Sequence, residues 1–420
     1  MFEIPHLRAQ TTPLPDGYEP ELAALFLDGE IAWIKDGTGF VAAGEAARYE
    51  APATPSRFAL ASQWWSRVLA DAEIRDELRL PGTGLISVGS FAFNHASPAG
   101  SVLIIPQVVV GWDGQTGWLT LIGPTDRDVF DTLSPAAREL VDDTLRRRRP
   151  PAGEVARVSC APASTAERAD HRSGVVAIQQ RIGAGEADKV VLARRLELEA
   201  SEPIDQRSVV RALAAANPES WTFAVDSLVG ATPELLAATK GREVHVRVLA
   251  GTAPRERDAK AWLISSTKNT AEHHMSVESV VCALEKLGAV EAGSPFVLEL
   301  PTVLHLATDI RAHLDLDATS LEVAGALHPT AALGGTPTHA ALKIIDEVEG
   351  ADRGRYGAPV GWMGSHGGEW CVALRCAQID GTRARAWAGG GILADSDPDT
   401  EWAETEAKFA PILDAFNQAE

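Results

Sequence analysis

Residues 220–255, SWTFAVDSLVGATPELLAATKGREVHVRVLAGTAPR, hold one short apolar run after another with no helix-length segment between them. Parallel strands need a crossover of a dozen or more residues, so runs this close together pair as antiparallel neighbours. The spacing predicts three consecutive strands with turns at Asp226, Lys240-Gly241 and Gly251, and period-two spacing puts Val244, Val246 and Val248 on one face. YGAPVGWMGSHGGEWCVALRCAQI predicts a further hairpin across His366-Gly367-Gly368. LISVGSFAFN and SVLIIPQVVVGW are strand-like in the first third, and KVVLARRLELEA in the middle. Helical spacing appears in SPAARELVDDTLRRRR, HRSGVVAIQQRIGAG, SVVRALAAANPES, STKNTAEHHMSVESVVCALEKL and THAALKIIDEVEG, and a last helix opens at SDPD. Hairpins dominate and strict βαβ alternation is missing. The expected fold class is therefore α+β, with large antiparallel sheets packed as a sandwich and helices on the outside. A Pro-, Ala- and Ser-rich connector at 150–165 separates an N-terminal part, 1–150, which completes the sheets, from a region, 165–420, that carries the candidate chemistry. One compact unit is expected.

The balance of 58 acidic against 38 basic residues, formally −20, argues against nucleic acid as a partner. The dense basic run Arg146–Arg149 is followed by two prolines and is read as a solvated helix end. Cys160, Cys282, Cys371 and Cys376 form no zinc-type pair and no CxxC, which fits a reduced compartment. The N-terminal stretch lacks a basic segment followed by an apolar one, and no apolar run is long enough to span a bilayer. A cytoplasmic monomer without membrane contact is expected.

EWAETEAKF, residues 401–409, sets Glu401, Glu404 and Lys408 within roughly 60° of one another on a helix. They lie beside the apolar face of Trp402, Phe409, Leu413 and Phe416. An i,i+4 surface pair accounts for them, and so does a metal site that also holds an anion. The helix around Glu272 repeats the arrangement beside a stripe of Val277, Val280, Val281, Leu284 and Leu287. Two such carboxylates suit a hard divalent cation such as Mg²⁺. Glu234 follows Pro233 and precedes Leu235 and Leu236, apolar company that favours a protonated carboxyl and a proton donor. Lys189 opens an apolar strand, where a desolvated amine serves as a base or simply as a gatekeeper. Arg375 in CVALRCAQI lies in an apolar strand and calls for a planar anion; His305 in TVLHLATDI is a weaker case. AGGGI, with Gly389–Gly391, lets backbone approach a ligand but does not fit a dinucleotide fingerprint, and no GxSxG supports Ser-His-Asp catalysis.

In order, KVVLARR, GATPELL, LAGTAPR, KNTAEHH, PTVLHLAT, HPTAALGGTP, ALRCAQI, AGGGI and EWAETEAKF resemble the chorismate-utilising enzymes, and within them the isochorismate synthases. The resemblance covers the chain from roughly residue 170 to the end and is loose over the first 150 residues. It implies chorismate as substrate, Lys189 as the base that activates water, and Glu234 as the acid that protonates the departing C4 hydroxyl. It implies Mg²⁺ on Glu272 and Glu404, with Glu401 acting through water. Arg375, Gly251, Thr252 and Gly389, helped by Lys408 and His305, would hold the two carboxylates. Lysine at 189 points to water rather than ammonia, away from anthranilate and aminodeoxychorismate synthases. Ala332, where salicylate synthases tend to carry threonine, points to isochorismate as the end product. Asn269 stands where relatives usually have an acid, which implies weaker Mg²⁺ affinity. The resemblance does not select menaquinone, a siderophore or salicylate as the destination of the product.

Overall fold

Alternation within the strands decides which way each side chain points. Ile31, Trp33, Phe40 and Phe223 face one core, while Ala32, Ile34, Val41 and Ala224 on the same strands face another. The computed structural model describes residues 4–149, 158–160, 163–255, 258–299, 303–365 and 367–417. It contains two large, mostly antiparallel sheets. The 13-stranded sheet runs from Val158–Cys160 through Lys189–Ala200, Arg383–Ile392, Cys376–Asp380, Leu228–Thr232 and Trp221–Val225. It continues through Ile31–Lys35, Thr38–Ala43, Val108–Trp112, Gly117–Pro124 and Leu7–Pro13 to Glu73–Arg75, and the short Gly335–Thr336 pairs with Lys189–Ala200. The 10-stranded sheet runs Gly288–Ala292, Val303–Leu314, Glu243–Pro254, Leu235–Lys240, Gly367–Val372, Pro359–Gly364, Ile86–Ser90, Ser101–Ile105 and Ala47–Ala51; Phe296–Glu299 also pairs with Val303–Leu314. Strands from the first 150 residues thus stand in both sheets.

One core cluster fills the space between the sheets and continues under the helices Arg57–Asp71, Thr267–Leu284 and Ser320–Leu327. A second lies on the other face of the 13-stranded sheet, under Pro135–Leu145, Gln206–Ala216 and Pro398–Asn417. Among the described residues no helix is long and apolar enough to cross a membrane.

The α+β sandwich expected from the hairpins is the observed architecture. Two local readings change. Gly251 is not a turn: it sits at φ +81° inside the strand Glu243–Pro254, where the pairing with Val303–Leu314 slips between Ala250 and Thr252. Glycine permits both a turn and such a bulge, and only the partner strand decides between them. The region 220–255 also carries four strands rather than three, because Pro233 interrupts the ladder. Likewise Pro106 divides SVLIIPQVVVGW, sending Ser101–Ile105 to one sheet and Val108–Trp112 to the other. The connector at 150–165 lies largely outside the described residues, as does His366 of the predicted hairpin, whose flanking strands pair Gly364 with Gly367.

Candidate active site

Twice in the catalytic half the chain passes between the sheets at neighbouring points. Leu228–Thr232 leads into Leu235–Lys240 through Pro233 and Glu234, and Gly367–Val372 leads into Cys376–Asp380 through Arg375. The passages are tied together: Thr232 Oγ1 donates to the Val372 carbonyl (2.6 Å), the Val372 amide to the Glu234 carbonyl (3.0 Å), and the Ala231 amide to the Arg375 carbonyl (3.2 Å). Arg375 holds φ +48°, an uncommon conformation for a non-glycine residue that points to local strain over-determined by its surroundings. This geometry hangs an acid and a guanidinium on one narrow cavity.

Glu234 is 5% exposed. Burial pushes its carboxyl pKa up to about 8, although Lys189, Arg375 and Lys408 pull the other way. It therefore holds its proton at neutral pH. Arg375 is buried, and no described residue forms an ion pair or side-chain hydrogen bond with its guanidinium. Burial lowers its pKa while Tyr356, Glu404 and Glu234 act to restore it, so it remains cationic. A buried cation without a counter-ion is costly unless an anion completes it. His305 accepts or shares a hydrogen bond with Thr252 Oγ1 (3.1 Å); burial, then Arg375 and Lys408, hold its pKa well below the usual imidazole range, so the ring is neutral. At the bulge the backbone of Gly251 runs against Asn269: a Cβ there would lie 3.1 Å from the Asn269 carbonyl oxygen.

The opposite wall is the glycine end of strand Arg383–Ile392. Lys189 is fully buried, with Nζ 3.0 Å from Glu272 Oε1 and 3.5 Å from Ser276 Oγ. Lys408 Nζ donates to the Gly389 carbonyl (2.7 Å) and pairs with Glu404 (2.5 Å), and Ser396 Oγ donates to buried Glu401 (2.7 Å). A Cβ on Gly391 would fall 2.6 Å from Glu272 Oε1 and from Lys189 Cε, and one on Gly390 3.0 Å from Glu401 Oε2. Two glycines in a row thus make the space into which carboxylates of two helices close. As they stand, no group of three metal-ligating side chains is gathered among the described residues. The internal cations Lys189 and Lys408 occupy Glu272 and Glu404 instead. The donor set is carboxylate oxygen, which suits Mg²⁺.

The family model described as chorismate binding enzyme matches residues 25–417. The chain belongs to the chorismate binding enzyme family. The MenF protein of Mycobacterium tuberculosis (strain ATCC 25618 / H37Rv) is 41% identical over 315 residues, 68% of this chain and 84% of that one. The isochorismate synthase DhbC of Bacillus subtilis (strain 168) is 38% identical over 271 residues, 60% of this chain and 68% of that one. The structure of MenF, the menaquinone-specific isochorismate synthase of Escherichia coli, superposes with a TM-score of 0.79 at 25% identity, covering 99% of this chain and 96% of that one.

Within this chorismate binding chain, Glu234, Gly251, Thr252, Glu272, His305, Ala332, Arg375, Gly389 and Lys408 line the one cavity. Lys189, Glu401 and Glu404 stand just behind the glycines. Asn269 turns its amide to Ser266 Oγ (3.0 Å) at the helix start. A larger groove elsewhere is lined by Arg195, Arg355 and Arg385, but these pair with Glu197 and Asp226. Sequence reasoning missed Tyr356, a buried wall residue whose phenol burial keeps protonated. It also missed Arg353, which donates to the carbonyls of wall residues Leu333 (2.8 Å) and Val191 (3.0 Å) while paired with Glu349. Nothing local in DRGRYGAP marks either role. The doubled Arg in a Gly-rich loop was the only available hint.

Proposed function

We propose that the protein is an isochorismate synthase, converting chorismate to isochorismate by addition of water at C2 with loss of the C4 hydroxyl. The observation that carries this reading is a buried carboxyl that keeps its proton to about pH 8, sharing a cavity with a guanidinium that has no partner among the described residues, while the buried Lys189 amine stands behind Gly391 in its wall. Lys189 is the base of this reading: it takes a proton from water as the water oxygen bonds to C2, which requires the amine first to leave its ion pair with Glu272 and shed its proton. The ring double bonds shift, the C4–O bond breaks, and Glu234 gives its proton to the departing hydroxyl, which leaves as water. Atoms balance as an isomerisation, and solvent returns the proton from Lys189 to Glu234. Arg375, unpaired among the described residues, receives one substrate carboxylate, with the backbone at Gly251 and Gly389 and the Thr252–His305 pair completing the cradle. Neutral His305 and protonated Glu234 add no negative charge against a dianion. An acid and a base placed around one ring is the arrangement such a displacement needs. Mg²⁺ held by Glu272 and Glu404, with Glu401 acting through water, would supply a Lewis acid for the other carboxylate.

Ala332 in the wall favours release of isochorismate over further elimination. We read the protein as a cytoplasmic monomer acting on this small molecule, consistent with its acidic surface charge. Incubation with chorismate and Mg²⁺, followed by chromatography of the products, tests the assignment. Isochorismate without pyruvate is expected. Stoichiometric pyruvate and salicylate, or product only when ammonia is added, would replace it with the corresponding synthase.

A further inference from the structure

The loop that presents Ala332 and Leu333 to the catalytic cavity begins at His328 and Pro329, and these border a separate groove of about 510 Å³. That size falls within the roughly 300–1,000 Å³ of small-molecule sites. Arg57 forms part of its floor and is 6% exposed. Its Nη2 donates to the carbonyls of Ala92 (3.2 Å) and Phe93 (3.3 Å), and its Nε has no hydrogen-bond partner. No carboxylate of a described residue pairs with it. Burial lowers its pKa to about 10, which leaves it charged. It is also the first residue of helix Arg57–Asp71, where the helix dipole opposes a cation. The fold therefore keeps an unsatisfied positive charge at the bottom of a groove. The walls are apolar, Phe58 and Phe93 with Leu342 and Pro329, and the guanidinium already lies 4.4 Å from the Phe58 ring centre. Lys343, His95 and His339 stand at the rim with a single acid, Asp346.

We propose that this groove is a second ligand site, for a small aromatic monocarboxylate. Its carboxylate meets the Arg57 guanidinium from the groove side at Nη1, the terminal nitrogen not engaged with the Ala92 and Phe93 carbonyls, while Nε stays buried. Its ring lies against Phe58 and Phe93. Asp346 at the rim disfavours a dianion such as phosphate, and phosphate has no apolar body for the walls. The site stands apart from the catalytic cavity, separated from it by the segment from His328 to Leu333.

Calorimetric titration of the full chain with benzoate tests this. Saturable binding at one site is expected, with no comparable binding of inorganic phosphate. Arg57→Gln should weaken benzoate roughly 10- to 100-fold. Lys343→Glu, on the exposed rim, should weaken it about three- to tenfold while chorismate turnover stays at the wild-type rate. The rim variant keeps the test decisive if Arg57→Gln does not fold. Absence of benzoate binding, binding insensitive to Lys343→Glu, or equal binding of phosphate would overturn the proposal.

Discussion

At the paired crossovers and at the glycine end of strand Arg383–Ile392, charged side chains are buried under opposite conditions. Arg375 at the crossover has no ion-pair partner among the described residues, and Glu234 beside it escapes charge by keeping its proton. At the glycine end Lys189 sits on Glu272 and Lys408 on Glu404, each charge neutralised from within. The first region is preorganised: its groups already have the state they need before any ligand arrives. The second is self-compensated, so whatever engages its carboxylates must displace an internal cation. On the proposed mechanism, substrate recognition and proton donation would belong to the first wall, and cation dependence to the second.

Three substitutions and a pH profile would break or sharpen that contrast. Glu234→Gln should have the largest effect, lowering kcat by roughly 10²–10⁴-fold, the usual worth of a positioned acid, with the Mg²⁺ dependence little changed. The same acid sets a pH limb: because the protonated form is the active one, kcat/KM of the wild type should fall as pH rises through about 8, and this limb should vanish from the residual rate of the variant. A near-normal rate in Glu234→Gln would remove the acid from the first wall. Next, Arg375→Gln should raise KM for chorismate roughly 10- to 100-fold, since it deletes a charge-assisted contact that no internal partner replaces. Unchanged KM would show that its unpartnered state serves another purpose. Smallest, Glu404→Gln should raise the Mg²⁺ concentration for half-maximal rate about tenfold while leaving kcat at saturating metal close to wild type. If it instead abolished turnover at every Mg²⁺ concentration, the second wall would be part of the chemistry itself.

Local pattern made much of this legible. Val244, Val246 and Val248 face the core as period-two spacing requires, and the helical segment read around Glu272 is the helix Thr267–Leu284. Glu234 was readable because a proline followed by two leucines leaves a carboxyl little water, and the same logic singled out Arg375. What could not be read was pairing at a distance. The positive φ of Gly251 serves a bulge that exists only because Val303–Leu314 lies alongside. The engagement of Glu272 by Lys189 joins residues on a strand and a helix far apart in the chain. Arg353 matters through carbonyls on two other segments, and no property of its neighbours in sequence announces them.

The hydrogen bond from Thr232 to Val372 fastens the two crossover segments to each other. Acid and guanidinium are consequently mounted like the jaws of a caliper whose opening is set by how the two sheets are stacked. A substitution deep in the sandwich, remote from any ligand, would then misplace proton donor and anion receptor together. Tolerance to mutation in the inter-sheet core should accordingly be limited by the gap between those jaws before it is limited by unfolding.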